Sequence, residues 1–159
     1  RKSTQCHLET HLMIQEPHKS IDQYINAGSD TIIIHLEASN NPMDELLYIR
    51  KNSVCAGIAI NPDTDENLLK PLIEYLDYIL VMSVFPGLGG QDFISSTLDK
   101  MKNIIDIRED RDITVAVDGG VNLETISKVY DTGIDVTIVG SDLFGSKNII
   151  QRFKDLLDA

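Results

Sequence analysis

Cysteine is scarce: Cys6 and Cys55 are the only two in 159 residues, and they form neither a metal-type pair nor a dense framework. That usage excludes a disulfide scaffold and a thiolate metal knuckle, and it fits a reduced, cytoplasmic protein. No apolar run approaches the roughly 18 residues that a membrane helix needs. The start RKSTQCHLET carries no apolar signal region, so a soluble protein without a membrane partner is expected. Positive charge is short as well, with 14 basic residues against 25 acidic ones and a formal net charge of -11. A surface of that sign repels phosphate backbones, which excludes nucleic acid as an expected partner. No low-complexity tract or linker divides the chain, and its length suits one domain with a core of its own.

What is present is an alternation of short apolar strands with amphipathic helices. The pattern predicts strands at His7–Ile14, Thr31–Glu37, Cys55–Asn61, Tyr78–Val84, Ile113–Asp118 and Val136–Gly140. Helical stretches fall near Lys19–Ala27, Met43–Lys51, Asp65–Leu76, Thr97–Arg108, Leu123–Thr132 and Asn148–Leu157. Gly28 and Gly133 stand where a left-handed residue stops a helix, and Asp63 or Thr64 can cap the helix that follows Asn61-Pro62. Such repetition, with nearly continuous β-branched strands, implies an α/β fold built on a parallel sheet covered by helices.

Six units fall short of a complete eight-stranded barrel, which takes at least about 200 residues, so length alone favours an open, doubly wound sheet. The distribution of polar residues favours a barrel. His11, Glu37, Asn61, Ser83, Asp118 and Ser141 close almost every strand at its C-terminal end. One polar group per strand, converging on a single rim, is how a barrel builds an active site.

Alternation in the first strand puts His7, Glu9, His11 and Met13 on one face. His11 there reads either as a metal ligand or proton carrier or as part of a polar strand face satisfied by its neighbours. His35 and Glu37, also two residues apart on one face, carry the same two readings, with the polar strand face the more ordinary one. The loop PGLGGQDF, Pro86 to Phe93, is neither a P-loop nor a dinucleotide fingerprint. It can expose amides to an anion, act as a lid, or be an ordinary loop. In VAVDGGVN an aspartate closes an apolar strand before two glycines, and IVGSDLFG repeats the glycine at the next strand end. Gly119, Gly120, Gly140 and Ser141 can therefore hold a phosphate through backbone amides, or simply permit tight turns.

The segments HLMI..P, AGSDTIIIHLEA, GIAINPDT, ILVMSVFPGLGGQDFI, VDGGVN and VGSDLFG occur in the order and spacing of the ribulose-phosphate 3-epimerase family. The chain resembles that family over essentially its whole length. The resemblance implies a (β/α)₈ TIM barrel that interconverts D-ribulose 5-phosphate and D-xylulose 5-phosphate with a divalent metal ion such as Zn, Fe, Mn or Co. It implies His11 as a metal ligand and Asp118 as both metal ligand and catalytic acid/base. Met13 and Met82 would line the reacting carbons, Gly87, Leu88, Gly89 and Gly90 would form the loop over the substrate, and Gly119, Gly120, Gly140 and Ser141 would cradle the phosphate. A phosphorylated ketose is the implied ligand and a homo-oligomer the implied assembly.

On that template residues 1–159 form a single partial barrel domain, units three to eight. The family's His-x-Asp strand, and the serine-bearing strand before it, have no counterpart in this sequence. Two sheet edges are then expected to be open, with two metal ligands and one of two proton-transfer carboxylates missing; Glu9 shares the face of His11 but lies a layer deeper. Phe85 and Leu88 depart from the usual family residues. Asp142 adds a charge that would either repel a phosphate or point to solvent. Two other readings stay open: an epimerase acting on a hexulose 6-phosphate, and a noncatalytic sugar-phosphate-binding protein.

Overall fold

Strands made almost wholly of Val, Ile, Leu and Ala need cover on both faces, and here the helices cover one face while the curl of the sheet covers the other. The computed structural model describes residues 3–159; residues 1 and 2, which open the expected domain, lie outside that description. Six strands, β1 (Glu9–Leu12), β2 (Thr31–His35), β3 (Cys55–Ile60), β4 (Tyr78–Met82), β5 (Thr114–Asp118) and β6 (Val136–Ile138), form one sheet in sequential order. Every neighbouring pair is parallel. The α-helices are α1 (Ile21–Ala27), α2 (Pro42–Lys51), α3 (Thr97–Arg108), α4 (Ile126–Tyr130), α5 (Ser141–Phe144) and α6 (Ile149–Leu157). Among the described residues no helix is long and apolar enough to cross a membrane.

Alternation sorts the strands into two layers. Ile32, Ile34, Ile58, Ile60, Ile79, Val81, Val115 and Val117 face outward and pack with Leu46, Ile49, Leu69, Met101, Ile104 and Val129. Ile33, Ala59, Tyr78, Leu80, Met82 and Ala116 make a separate inner cluster. The inner face is strongly concave. Four strand spacings separate β1 from β5, about 19 Å in a flat sheet, yet side chains from the two strands come within 3.9 Å of each other across it. The open doubly wound sheet is thereby excluded, and the six strands form part of a barrel wall.

A device at the base of the sheet recurs three times. Asp30 accepts the amide of Leu8 on its carboxylate (2.8 Å) and donates its own amide to the Leu8 carbonyl (2.9 Å). Asp77 does the same with Ala56, at 2.9 Å in both directions. Asp135 does the same with Val115, at 2.8 and 2.9 Å. Each aspartate stands just before an even-numbered strand and grips the start of the strand before it.

Several boundaries differ from those read in the sequence. The strands are shorter, and Glu37 belongs to a 3₁₀ turn, Leu36–Ala38, rather than to β2. Residues Glu66–Tyr75 are 3₁₀ rather than α-helical, because Pro71 has no N–H and its ring obstructs the carbonyl four residues back. Asp65, not Asp63 or Thr64, caps that segment, its carboxylate accepting the Asn67 amide at 2.9 Å. The helix expected from Leu123 starts at Ile126, since Asn122 Oδ1 accepts the Glu124 amide at 2.9 Å in a local turn that competes with the helix. The one-turn helix α5 escaped the sequence reading, its glycine and serine looking like loop.

The clamp gives a direct test. Asp77→Ala leaves the amide of fully buried Ala56 without its side-chain acceptor. The unfolding free energy, read by urea denaturation, should fall by about 1–3 kcal/mol, and by less in Asp77→Asn, which keeps a carbonyl oxygen there.

Candidate active site

Parallel strands bring all their C-terminal ends to one rim, and the functional candidates collect there. His11 lies on the inner face of β1, opposite Ile33 of β2. His35 ends β2 two residues further on, so the two imidazoles are diagonal neighbours. Their Nε2 atoms are 2.7 Å apart and the rings stack at 4.9 Å between centroids. The 3₁₀ turn after β2 folds Glu37 back toward its own strand, leaving one carboxylate oxygen 3.4 Å from His35 Nδ1. The other carboxylate oxygen accepts the Asn61 amide at 2.8 Å and the hydroxyl of Thr64. Lys100 of α3 fastens that loop from outside, its ammonium donating to the carbonyls of Asn61 and Pro62 at 2.8 Å each and to that of Thr64.

Electrostatics separate these groups. Burial, reinforced by the neighbouring His35, lowers the His11 pKa to about 4, so this ring is neutral at pH 7. Burial of Glu37 favours its protonated form, but the His35 ring, the Asn61 amide and the Thr64 hydroxyl outweigh it and hold the carboxyl near 2. Asp118, at the end of β5, is pushed above its ordinary 3.8 by burial. Its Oδ2 lies 3.9 Å from His11 Nδ1.

Above Asp118 opens a cleft of about 230 Å³. Of the residues singled out in the sequence, Met13, Met82, Gly87, Leu88, Gly89, Gly90, Asp118, Gly119, Gly120, Gly140 and Ser141 line it. His11 stands beside it, in reach of Asp118. A second depression shares Met13, Pro86 and Gly87 with the first and is bordered by His35, Glu37 and Asn61. The loop over the cleft is tied by Gln91, whose amide donates to the carbonyls of Phe85 and Leu88 at 2.7 Å each. Leu88 at its tip is 79% exposed.

Ser83 was one polar residue in a row of strand ends; its place is structural. Fully buried, it sets its hydroxyl 2.5 Å from the Gly119 carbonyl and 3.1 Å from that of Asp118, fixing the turn that follows β5. The two glycines of that turn have a steric duty of their own. Gly119 has φ +123° and a Cβ there would stand 2.5 Å from Val84 Cγ2; Gly120 has φ +64° and its Cβ would stand 2.6 Å from the Phe93 amide nitrogen. Asp142 does not simply point to solvent, since its carboxylate faces the Arg152 guanidinium at 3.6 Å. Glu9 does lie a layer below His11, where it accepts the Tyr78 hydroxyl at 3.0 Å. His7 is satisfied by the Thr31 hydroxyl at 2.8 Å.

Sequence reasoning weighed His35 and Glu37 mainly as polar strand side chains, offered Thr64 only as a helix cap and gave no role to Lys100. The His-x-Glu spacing at the end of β2 was the available signal. As for a metal ion, His11 Nδ1 and Asp118 Oδ2 fit as two donors to one ion, because two zinc ligands at about 2.1 Å each stand at most about 4.2 Å apart. They do not complete a centre. Among the described residues no group of three or more His, Cys, Asp or Glu side chains is arranged so that it could hold a metal ion.

A sequence profile of the ribulose-phosphate 3 epimerase family matches residues 1–144. The ribulose-phosphate 3-epimerase of Aquifex aeolicus is 33% identical over 158 residues, covering 98% of this chain and 71% of that protein. That of Bacillus subtilis is 36% identical over 151 residues, covering 93% and 70%. Among solved structures, a tryptophan synthase alpha-subunit from Pyrococcus furiosus superposes with a TM-score of 0.76 at 16% identity, over 100% of this chain and 69% of that one. The 3-hexulose-6-phosphate synthase of Salmonella typhimurium gives 0.71 at 18% identity, over 99% and 74%. These structures are TIM-barrel enzymes and share the fold. The profile and the relatives' identities, at that coverage, place this chain in the ribulose-phosphate 3-epimerase family of isomerases.

Proposed function

We propose that the chain works on D-ribulose 5-phosphate and D-xylulose 5-phosphate, exchanging a proton at C3 through an enediolate. The observation that carries this reading is the position of Asp118, the only carboxyl among the described residues that line the cleft, flanked by Met13 and Met82 and roofed by the glycine loop. A carbon beside a carbonyl loses its proton to a base, and the electron pair moves into the C2–C3 bond while the carbonyl oxygen takes the charge. Asp118, with burial favouring its protonated form, is suited to take that proton and return it. Apolar Met13 and Met82 exclude water from the reacting carbons, and the backbone around Gly119, Gly120, Gly140 and Ser141 receives the phosphate. A divalent ion such as Zn, Fe, Mn or Co, with His11 and Asp118 among its ligands, would supply positive charge for the enediolate oxygen. Inversion needs a second proton-transfer group on the opposite face, and it must come from outside the cleft lining described here. The proposal includes a cytoplasmic location and self-association through the unpaired edges of β1 and β6.

A second reading, a noncatalytic sugar-phosphate-binding protein, is favoured by the single carboxyl in the cleft. Solvent-exchange NMR separates the two. With Mn²⁺ or Zn²⁺ added, this chain should exchange C3–H of one epimer with solvent deuterium while producing little of the other, because one base acts on one face. Asp118→Asn should slow that exchange by about 100-fold or more. Retained sugar-phosphate binding with no exchange at all would establish the noncatalytic reading instead.

In the metal-free protein the Asp118 carboxyl should titrate above 3.8, its ordinary value, in the direction set by burial, as read from its carboxyl ¹³C shift against pH. Stability should respond to acid through His11. Its folded pKa of about 4 lies below its ordinary 6.5, so the neutral ring contributes stability that is complete above 6.5 and is lost as pH falls toward 4. Urea unfolding at pH 7 and pH 4.5 should show that loss, and His11→Gln should remove most of its slope.

A further inference from the structure

Hydrogen bonds at the end of β2 fix more than position. The ionised carboxylate of Glu37 can only accept, and its far oxygen already accepts from the Asn61 amide and the Thr64 hydroxyl. The nearer oxygen therefore requires a proton on His35 Nδ1, 3.4 Å away. The opposite order would aim a nitrogen lone pair at an anion inside a site where His35 is only 5% exposed. A ring carrying one proton on Nδ1 has a bare Nε2. That nitrogen is 2.7 Å from His11 Nε2, a distance that needs one proton between the two, and only His11 is left to donate it.

We propose that Glu37 and His35 are positioning residues that hold the proton of His11 on Nε2 and leave a lone pair on His11 Nδ1. Asp118 across the concave face does not set this order, because its Oδ2 is 3.9 Å from that nitrogen, beyond hydrogen-bond distance. A chain of three polar side chains thus selects the one tautomer able to accept a proton or a cation at that point. The anchor runs further back, because Lys100 secures the carbonyls of the Asn61–Thr64 loop on which Glu37 rests. The catalytic use of this arrangement rests on the epimerase reading; the tautomer itself does not.

The test is long-range ¹H–¹⁵N NMR of ¹⁵N-histidine protein at pH 8, with the four histidine signals assigned by single His→Gln variants. In the wild type His11 should be protonated on Nε2 and His35 on Nδ1. Glu37→Gln keeps a carbonyl for Asn61 and Thr64 but turns an amide donor toward His35, so both rings should reverse. His35 then carries its proton on Nε2, and the His11 Nδ1 resonance moves from the unprotonated to the protonated range. A wild-type His11 protonated on Nδ1, or a folded Glu37→Gln protein that keeps the wild-type order, would overturn the proposal. The wild-type spectrum decides it even if the variant does not fold. Carbon-3 exchange is read separately, so the expected tautomers without exchange would remove only the epimerase reading.

Discussion

Curvature of the sheet is the constraint on which this molecule turns, and it is set by what fits inside. The strands carry residues of different bulk toward the interior: Gly57, Ala59 and Ala116 on β3 and β5 oppose Ile33, Tyr78 and Leu80 on β2 and β4. A Cβ on Gly57 would stand 2.7 Å from Ile33 Cγ1, so the small residue sets how tightly the wall can bend. Bending brings β1 and β5 face to face. Without it His11 and Asp118 would stand four strand spacings apart, and His11 would keep only its neighbour His35.

Much of this was legible beforehand because period-two alternation and strand-end chemistry are local signals. The residues at the ends of β1, β4 and β5 could be named from spacing; polar groups closing nearly every strand favoured a barrel against the evidence of length, and the resemblance to the epimerase family decided between them. Glu37 shows where local reading stops. As a strand residue it would share the face of His35 and point away along the same line. Because the strand ends at His35 and the chain tightens into a 3₁₀ turn, the carboxylate comes back against the ring it follows. The grip of Thr64 on Glu37 and that of Lys100 on the loop were invisible for a different reason: the partners lie 27 and 36 to 39 residues away, a separation no periodicity encodes.

The site also shows how one shell of apolar packing gives unlike groups unlike charge. Burial neutralises His11 and favours the protonated form of Asp118, while Glu37, half-buried, stays ionised because three donors converge on it. The glycines beside Asp118 have a related double character. Their backbone angles and the close approach of Val84 and Phe93 account for them sterically, and both also line the cleft.

The three aspartate clamps carry a consequence of their own. Leu8 with Asp30, Ala56 with Asp77, and Val115 with Asp135 join the strands as β1–β2, β3–β4 and β5–β6, at sequence separations of 22, 21 and 20. Between those pairs, among the described residues, no such clamp stands at the base, and side chains join the strands only at the opposite rim, where Glu37 holds the Asn61 amide and Ser83 the Gly119 carbonyl. A wall assembled this way has parity: severing it inside a pair strands a buried amide, whereas severing it between pairs leaves every clamp whole. At its base the grain of the fold therefore lies between β2 and β3 and between β4 and β5, and the wall is gripped there in steps of two strands.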